Sequence, residues 1–112
     1  MDKTTEFLKF CYNYTKKIGM VKNQYDFSRQ FLNKSQHYLS MLLTEQRSPS
    51  ANSLYNLVNN LNHLQDLYST YENKKTIVHS LDKIIECGNQ LLTKKILNNY
   101  SSLNENPFNT DE

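Results

Sequence analysis

Glycine and proline each occur only twice in 112 residues, and this shortage of chain breakers constrains the fold more than any other feature. With leucine recurring at helical intervals, it reads as an all-α chain. The length is one domain's worth, with room for an added arm. A hydrophobic share of 38% is low, but eight tyrosines add apolar area to a helical core. No apolar run approaches the roughly 18 residues of a membrane span. The opening MDKTTEFLKF lacks the apolar core and cleavage site of a secretion signal. Cys11 and Cys87 lie far apart, and neither belongs to a Cys-x-x-Cys pair. Two reduced, partly buried thiols in a cytoplasmic protein are the expectation.

Helical periodicity divides the chain into five segments. Thr4 or Thr5 is placed to cap a first helix carrying Phe7, Leu8, Cys11, Tyr14 and Ile18, with Gly19 to end it. Asn23 suits the N-cap of a short second helix, Gln24 to about Leu32, that turns Phe27 and Phe31 inward. Asn33 is the turn residue, because asparagine tolerates the left-handed conformation. Ser35 would cap a third helix from Gln36 to about Thr44, buried through Leu39, Leu42 and Leu43. The sequence Arg47-Ser48-Pro49-Ser50 makes the next turn, and Ser50 caps a fourth helix. That helix buries Leu54, Leu57, Val58, Leu61 and Leu64 and runs on toward Tyr71. Asn73-Lys74-Lys75 is the next break, before a long helix from about Thr76 to Tyr100. The remainder, SSLNENPFNTDE, is polar and acidic and reads as disordered. The domain reading is therefore 1–64, 65–100 and a tail at 101–112.

Short helix, turn, short helix, loop and long helix over residues 23–61 is the order of a helix-turn-helix that places its second short helix in the DNA major groove. Charge permits this without demanding it. The net balance is +4 over residues 1–34, −2 over 35–73, +3 over 74–100 and −3 over the tail. Phosphate binding needs positive charge where the backbone lies, and here that charge is moderate and split between the two ends.

Particular positions strengthen the reading. Gln24, the pair Phe27-Ser28, Asn33, Ser35, the pair Leu39-Ser40, and Arg47-x-Pro49-Ser50 followed by Leu54 and Leu57 resemble the Cro/lambda-repressor-type (XRE-like) helix-turn-helix family in order. The resemblance covers roughly residues 7–64 and is silent on 65–112. It departs in two places: one extra residue lies between Ser28 and Asn33, and Asn33 replaces the family's turn glycine. A lambda-repressor-like bundle is the implied fold.

If the third helix enters the groove, Gln36 and His37 lead it, with Met41 one turn on. Glutamine can pair with adenine N6 and N7, histidine can bond a base edge, and methionine can pack on a thymine methyl. The resemblance assigns base contact to Gln36, His37 and Met41, with Ser40 a further contact. It also implies that Gln24 bridges phosphate and Gln36. Candidate phosphate contacts are Asn23, Gln24, Lys34, Ser35, Tyr38, Arg47 and Ser50, through helix N-termini and hydroxyls as well as charge. A solvated polar helix face is the plain alternative for the same residues.

Other chemistry has little foothold. His37, His63 and His79 lack ligand spacing with each other or with the cysteines, so no metal is expected. There is no nucleophile elbow, paired carboxylate or glycine-rich phosphate loop. No enzymatic activity, cofactor, small-molecule substrate or membrane partner is therefore expected. The eight tyrosines fall on several helices and faces, which favours packing over base stacking.

The last helix carries a wide stripe of Ile77, Leu81, Ile84, Ile85, Leu91, Leu92, Ile96 and Leu97. It can pack on Leu64, Leu67, Tyr68 and Tyr71 of the fourth helix, form a homodimer interface, or do both. An inverted-repeat operator needs two heads about 34 Å apart, which favours a homodimer through Ile77, Leu81, Ile84, Ile85, Leu91 and Leu92. The functional expectation is a dimeric, sequence-specific double-stranded DNA-binding regulator, a repressor of phage or plasmid type. The alternative is a small helical protein-interaction module, an antitoxin or phage-encoded inhibitor, whose motif no longer reads DNA. The low basic charge around the third helix favours that alternative.

Overall fold

The computed structural model describes residues 2–104, with side chains described through Ser101. Residues 105–112, most of the expected tail, lie outside the described residues. Among the described residues the chain is all-helical: α1 (Lys3–Lys17), α2 (Gln24–Gln30), α3 (Tyr38–Glu45), α4 (Ala51–Tyr68), a 3-10 turn (Glu72–Lys74) and α5 (Lys75–Asn104).

Helix α1 buries Phe7, Leu8 and Cys11, which share one face. Its N-cap is Asp2 rather than a threonine. Thr5 is fully buried and donates its hydroxyl to the Arg47 carbonyl at 2.8 Å. The hydroxyl expected to cap the helix is thus spent across the fold, pinning α1 to the loop after α3. Gly19 ends the helix as expected. Its φ of +86° suits glycine, and the Gly19 and Met20 amides reach back to the Lys16 and Thr15 carbonyls at 3.0 and 2.8 Å.

The central element is α4. Leu54, Leu57, Val58, Leu61, Leu64 and Tyr68 fall on one helical stripe, and all are buried. Ser50 caps it by accepting the Ser53 amide at 3.1 Å. Its end comes earlier than the leucine pattern implies. The Ser69 and Thr70 hydroxyls take the Asp66 and Leu67 carbonyls at 2.7 and 2.8 Å, and the helix stops at Tyr68. Leu67 and Tyr71, expected to face α5, are more than half exposed. Leu67 falls outside the buried stripe, and Tyr71 lies beyond the helix end.

Helix α5 runs back antiparallel along α4. Gln65 Nε2 donates to the Val78 carbonyl at 3.0 Å and to Asp82 Oδ1 at 2.6 Å. Further along, Gly88 meets Val58, and Lys95 Nζ donates to Ser48 Oγ at 2.7 Å. A boundary between residues 64 and 65 falls inside continuous α4, and α5 shares the core with every other helix. Leu81, Ile84 and Ile85 are buried within their own chain, while Ile77, Leu91 and Leu92 are half-buried against the same core. The helix also continues through Asn104, so residues 101–104 are helical rather than part of a disordered tail.

At 1.5 Å per residue, the 30 residues of α5 span about 45 Å, against about 27 Å for the 18 of α4. The last turns of α5, past the Lys95–Ser48 contact, therefore run on beyond the start of α4. Ile96, Leu97 and Tyr100 there are 50, 58 and 64% exposed.

Gly88 permits the close approach of α5. A Cβ at this position would lie 2.9 Å from Val58 Cγ2 and 3.2 Å from Phe7 Cζ. Gly88→Ala would gain about 1 kcal/mol of helix propensity but incur overpacking of about 1–3 kcal/mol. A net loss of about 1 kcal/mol is expected, lowering Tm by roughly 4–8 °C. In a thermal melt, Gly88→Ala combined with Val58→Ala should lose less than the two single losses added.

Candidate nucleic-acid interface

The two short helices are joined by a single buried bond. Ser28 of α2 is fully buried, and its Oγ accepts the Leu39 amide at 3.0 Å. Leu39 holds the second position of α3, where an amide lacks a partner within its own helix. The Ser28 hydroxyl thus caps the neighbouring helix.

This changes the start of α3. The helix begins at Tyr38, two residues later than expected, with His37 as N-cap. Ser35 takes part through its carbonyl, which accepts the Tyr38 amide at 3.1 Å, and its side chain makes no cap bond in α3. Gln36 and His37 therefore sit in the turn that leads into α3 rather than on its first helical turn.

The end of α2 widens before Asn33. The Leu32 amide reaches back five residues to Phe27 at 3.4 Å, and the Lys34 amide reaches six back to Ser28 at 3.0 Å. Asn33 then adopts φ +55°, the left-handed conformation expected of it. Three carbonyls at the end of α2 have no partner within their own helix, and α4 takes them. Asn60 Nδ2 bonds the Gln30 and Phe31 carbonyls at 3.1 and 3.0 Å, and Asn56 Nδ2 bonds that of Leu32 at 3.0 Å. Sequence reasoning missed both asparagines. Their spacing of four, which puts them on one face beside the leucine stripe, was the available signal.

Two clusters of candidate residues flank α3. The first holds Gln36 and His37, both exposed, with Ser40 and Met41 half-buried behind them. Gln36 Nε2 lies 3.2 Å from His37 Nε2. The Ser40 hydroxyl donates to the His37 carbonyl at 3.0 Å, and Met41 packs against the core. Tyr25 of α2 joins this cluster unforeseen, its ring edge-on to His37 at 5.2 Å. Gln24 is half-buried, and among the described residues it shares no hydrogen bond with Gln36, whose partner is His37.

The second cluster holds Lys34, Tyr38 and Ser50. The Tyr38 phenol oxygen accepts from Ser53 Oγ at 2.8 Å and from the Ser50 amide at 3.3 Å. Lys34 Nζ lies 5.8 Å from the centre of the Tyr38 ring. Partial burial pushes the phenol pKa up. The bonds from Ser53 and Ser50, with the Lys34 charge, outweigh it and leave the pKa below the ordinary tyrosine value.

Two expected phosphate contacts have acidic neighbours. Asn23 caps α2 by accepting the Asp26 amide at 3.0 Å, and the Asp26 carboxylate bonds the Lys22 amide and Arg29 at 3.2 Å each. Arg47 is exposed and paired with Glu45 at 3.2 Å, a contact that solvent screening makes weak. Around α3 the charge is Lys22, Arg29, Lys34 and Arg47 against Asp26 and Glu45. Ser35 is exposed beside them. Among the described residues no three His, Cys, Asp or Glu side chains gather as metal ligands. Cys11 is buried, and burial first, then the neighbouring Cys87, pushes its thiol pKa well up; Cys87 is exposed rather than partly buried.

Residues 8–102 match the model of a family described as "Family of unknown function (DUF6626)". The chain belongs to that family. No curated protein and no solved structure matches it.

Ser28→Ala strands the buried Leu39 amide and should cost about 1–3 kcal/mol in a denaturant titration. Asn60→Ala frees two carbonyls at the turn and should cost about 1–2 kcal/mol. For Tyr38, a lowered folded pKa means that the folded state loses its proton first. Stability then rises with pH from that value to about 10, with nothing contributed at neutral pH. An absorbance titration should show one tyrosine ionising ahead of the ordinary range, and Tyr38→Phe should remove it.

Proposed function

We propose that this chain is a sequence-specific double-stranded DNA-binding regulator with a lambda-repressor-like arrangement of α1 to α4. The observation that carries the reading is the Ser28–Leu39 bond across a left-handed Asn33. It holds two short helices as a unit and leaves the leading edge of α3 bare. At eight residues α3 is about 12 Å long, short enough to enter a major groove about 12 Å wide. Gln36, Ser40 and Met41 lie on that edge as the base-facing group, with His37 set against Gln36. Lys34, Tyr38 and Ser50 form a phosphate anchor on one side, and Arg47, Gln24, Asn23 and Ser35 supply further backbone contacts.

The regulator acts as a cytoplasmic homodimer on an inverted repeat, repressing transcription by occluding a promoter, without cofactor or catalytic step. With Leu81, Ile84 and Ile85 largely covered by the core, the projecting turn bearing Ile96, Leu97 and Tyr100 is an exposed apolar face for pairing.

A second reading is a helical protein-interaction module. It is favoured by Asp26 and Glu45 beside the proposed phosphate path. An apolar groove of about 460 Å³ between α1 and α5, lined by Phe7, Phe10, Ile84 and Leu91, favours it too.

Binding to a genomic-fragment library at two salt concentrations separates the two. Enrichment of one inverted repeat that persists at higher salt is expected. Gln36→Ala should then lower affinity for that repeat about ten- to hundredfold without weakening bulk DNA binding. Lys34→Ala should weaken both and flatten the salt slope by about one unit. Weak, sequence-blind binding throughout would favour the protein-interaction module.

A further inference from the structure

The imidazole of His37 is engaged on two sides before any ligand arrives. Its Nε2 faces Gln36 Nε2 at 3.2 Å, and the Tyr25 ring meets it edge-on, 80° from coplanar. An amide nitrogen can only donate a hydrogen bond. The His37 Nε2 must therefore accept, and the proton of the neutral ring sits on Nδ1. The backbone of His37 is held as well, since its carbonyl accepts from the Met41 amide at 2.9 Å and the Ser40 hydroxyl at 3.0 Å.

Gln36 is the opposite kind of residue, exposed and long, with rotamer freedom that must be lost on binding. Its bond to His37 uses one N–H. Oε1 and the second N–H remain, one acceptor and one donor in a single plane. That pair matches adenine, which offers the N6 amino group and the N7 lone pair in the major groove. Building on the DNA-reading function above, we propose that His37 and Tyr25 are positioning residues that fix Gln36 to select an adenine, and that His37 does not itself read a base. Tyr25 supports the imidazole, the imidazole orients the carboxamide, and the carboxamide meets the base. Preorganisation of this kind removes an ordering cost from binding.

The test is selection from a randomised double-stranded DNA library by the full chain and by Gln36→Ala, His37→Ala, Tyr25→Ala and Tyr25→Phe. All three side chains are exposed, and circular dichroism checks that each variant folds. The wild type should enrich a motif containing an A·T pair that Gln36→Ala no longer selects. His37→Ala and Tyr25→Ala should each lose about tenfold of the preference at that same pair and leave the rest of the motif intact. Tyr25→Phe keeps the ring and should keep the preference. If His37→Ala loses a different base pair from Gln36→Ala, His37 is a reader and the inference fails. It fails equally if Tyr25→Ala leaves the Gln36 position untouched.

Nitrogen-15 NMR of the His37 ring supplies a measurement without DNA. The Nδ1–H tautomer should dominate in the wild type and lose that dominance in Gln36→Ala. A dominant Nε2–H form in the wild type overturns the proposed geometry. A wild type that shows the Nδ1–H form yet enriches no sequence overturns the DNA reading, and the positioning role falls with it.

Discussion

A hydroxyl group buried at Ser28 sets the relation between the two short helices, and the exposed edge of α3 follows from it. Neither helix is long enough to be stable alone, since isolated helices below about 12–15 residues are marginal in water. Seven residues of α2 and eight of α3 persist because their apolar faces join one core and because α2 supplies the bond that α3 lacks at its start. Placing the cap on a neighbouring helix couples the angle between the helices to the register of α3. It also leaves the side chains of Gln36 and His37 free of capping bonds, so both remain in solvent.

Helix α4 completes that arrangement from three positions along its length. Its N-terminus ties down Tyr38 through Ser50 and Ser53, and its leucine stripe shares one core with Phe27, Leu39 and Leu42. Asn56 and Asn60 close the widened end of α2. A single rigid element thus contacts the beginning of α3, its buried face and the turn before it. Such a scaffold limits how far the motif can deform on binding a partner.

Much of this was legible in the pattern of residues. Helix number, the buried stripes of α1 and α4, the Gly19 stop, the left-handed Asn33 and the Ser50 cap all followed from spacing and cap chemistry, which act locally. What escaped were bonds between distant segments. Ser28 to Leu39, Thr5 to Arg47 and Asn60 to the turn each span at least eleven residues, and no local preference encodes them. The same limit applies to the apolar face of α5. Periodicity showed that Leu81, Ile84 and Ile85 would be buried, but it does not say whether the covering surface comes from the same chain. In the candidate site, the polar edge of α3 was readable from sequence. Tyr25 was not, because only the fold brings α2 alongside His37.

The unequal lengths of α4 and α5 divide the long helix into two mechanical regimes. Up to about Leu92, α5 is clamped between α4 and α1 and can open only with the body of the protein. Past Lys95 every described side chain is exposed, so each peptide bond there is protected by its own helix alone. Amide exchange along α5 should therefore be graded, slow through Leu81 to Leu91 and progressively faster toward Ser101. A partner seated on the projecting turns would erase that gradient without touching the core, so a local rate becomes a sensor of assembly.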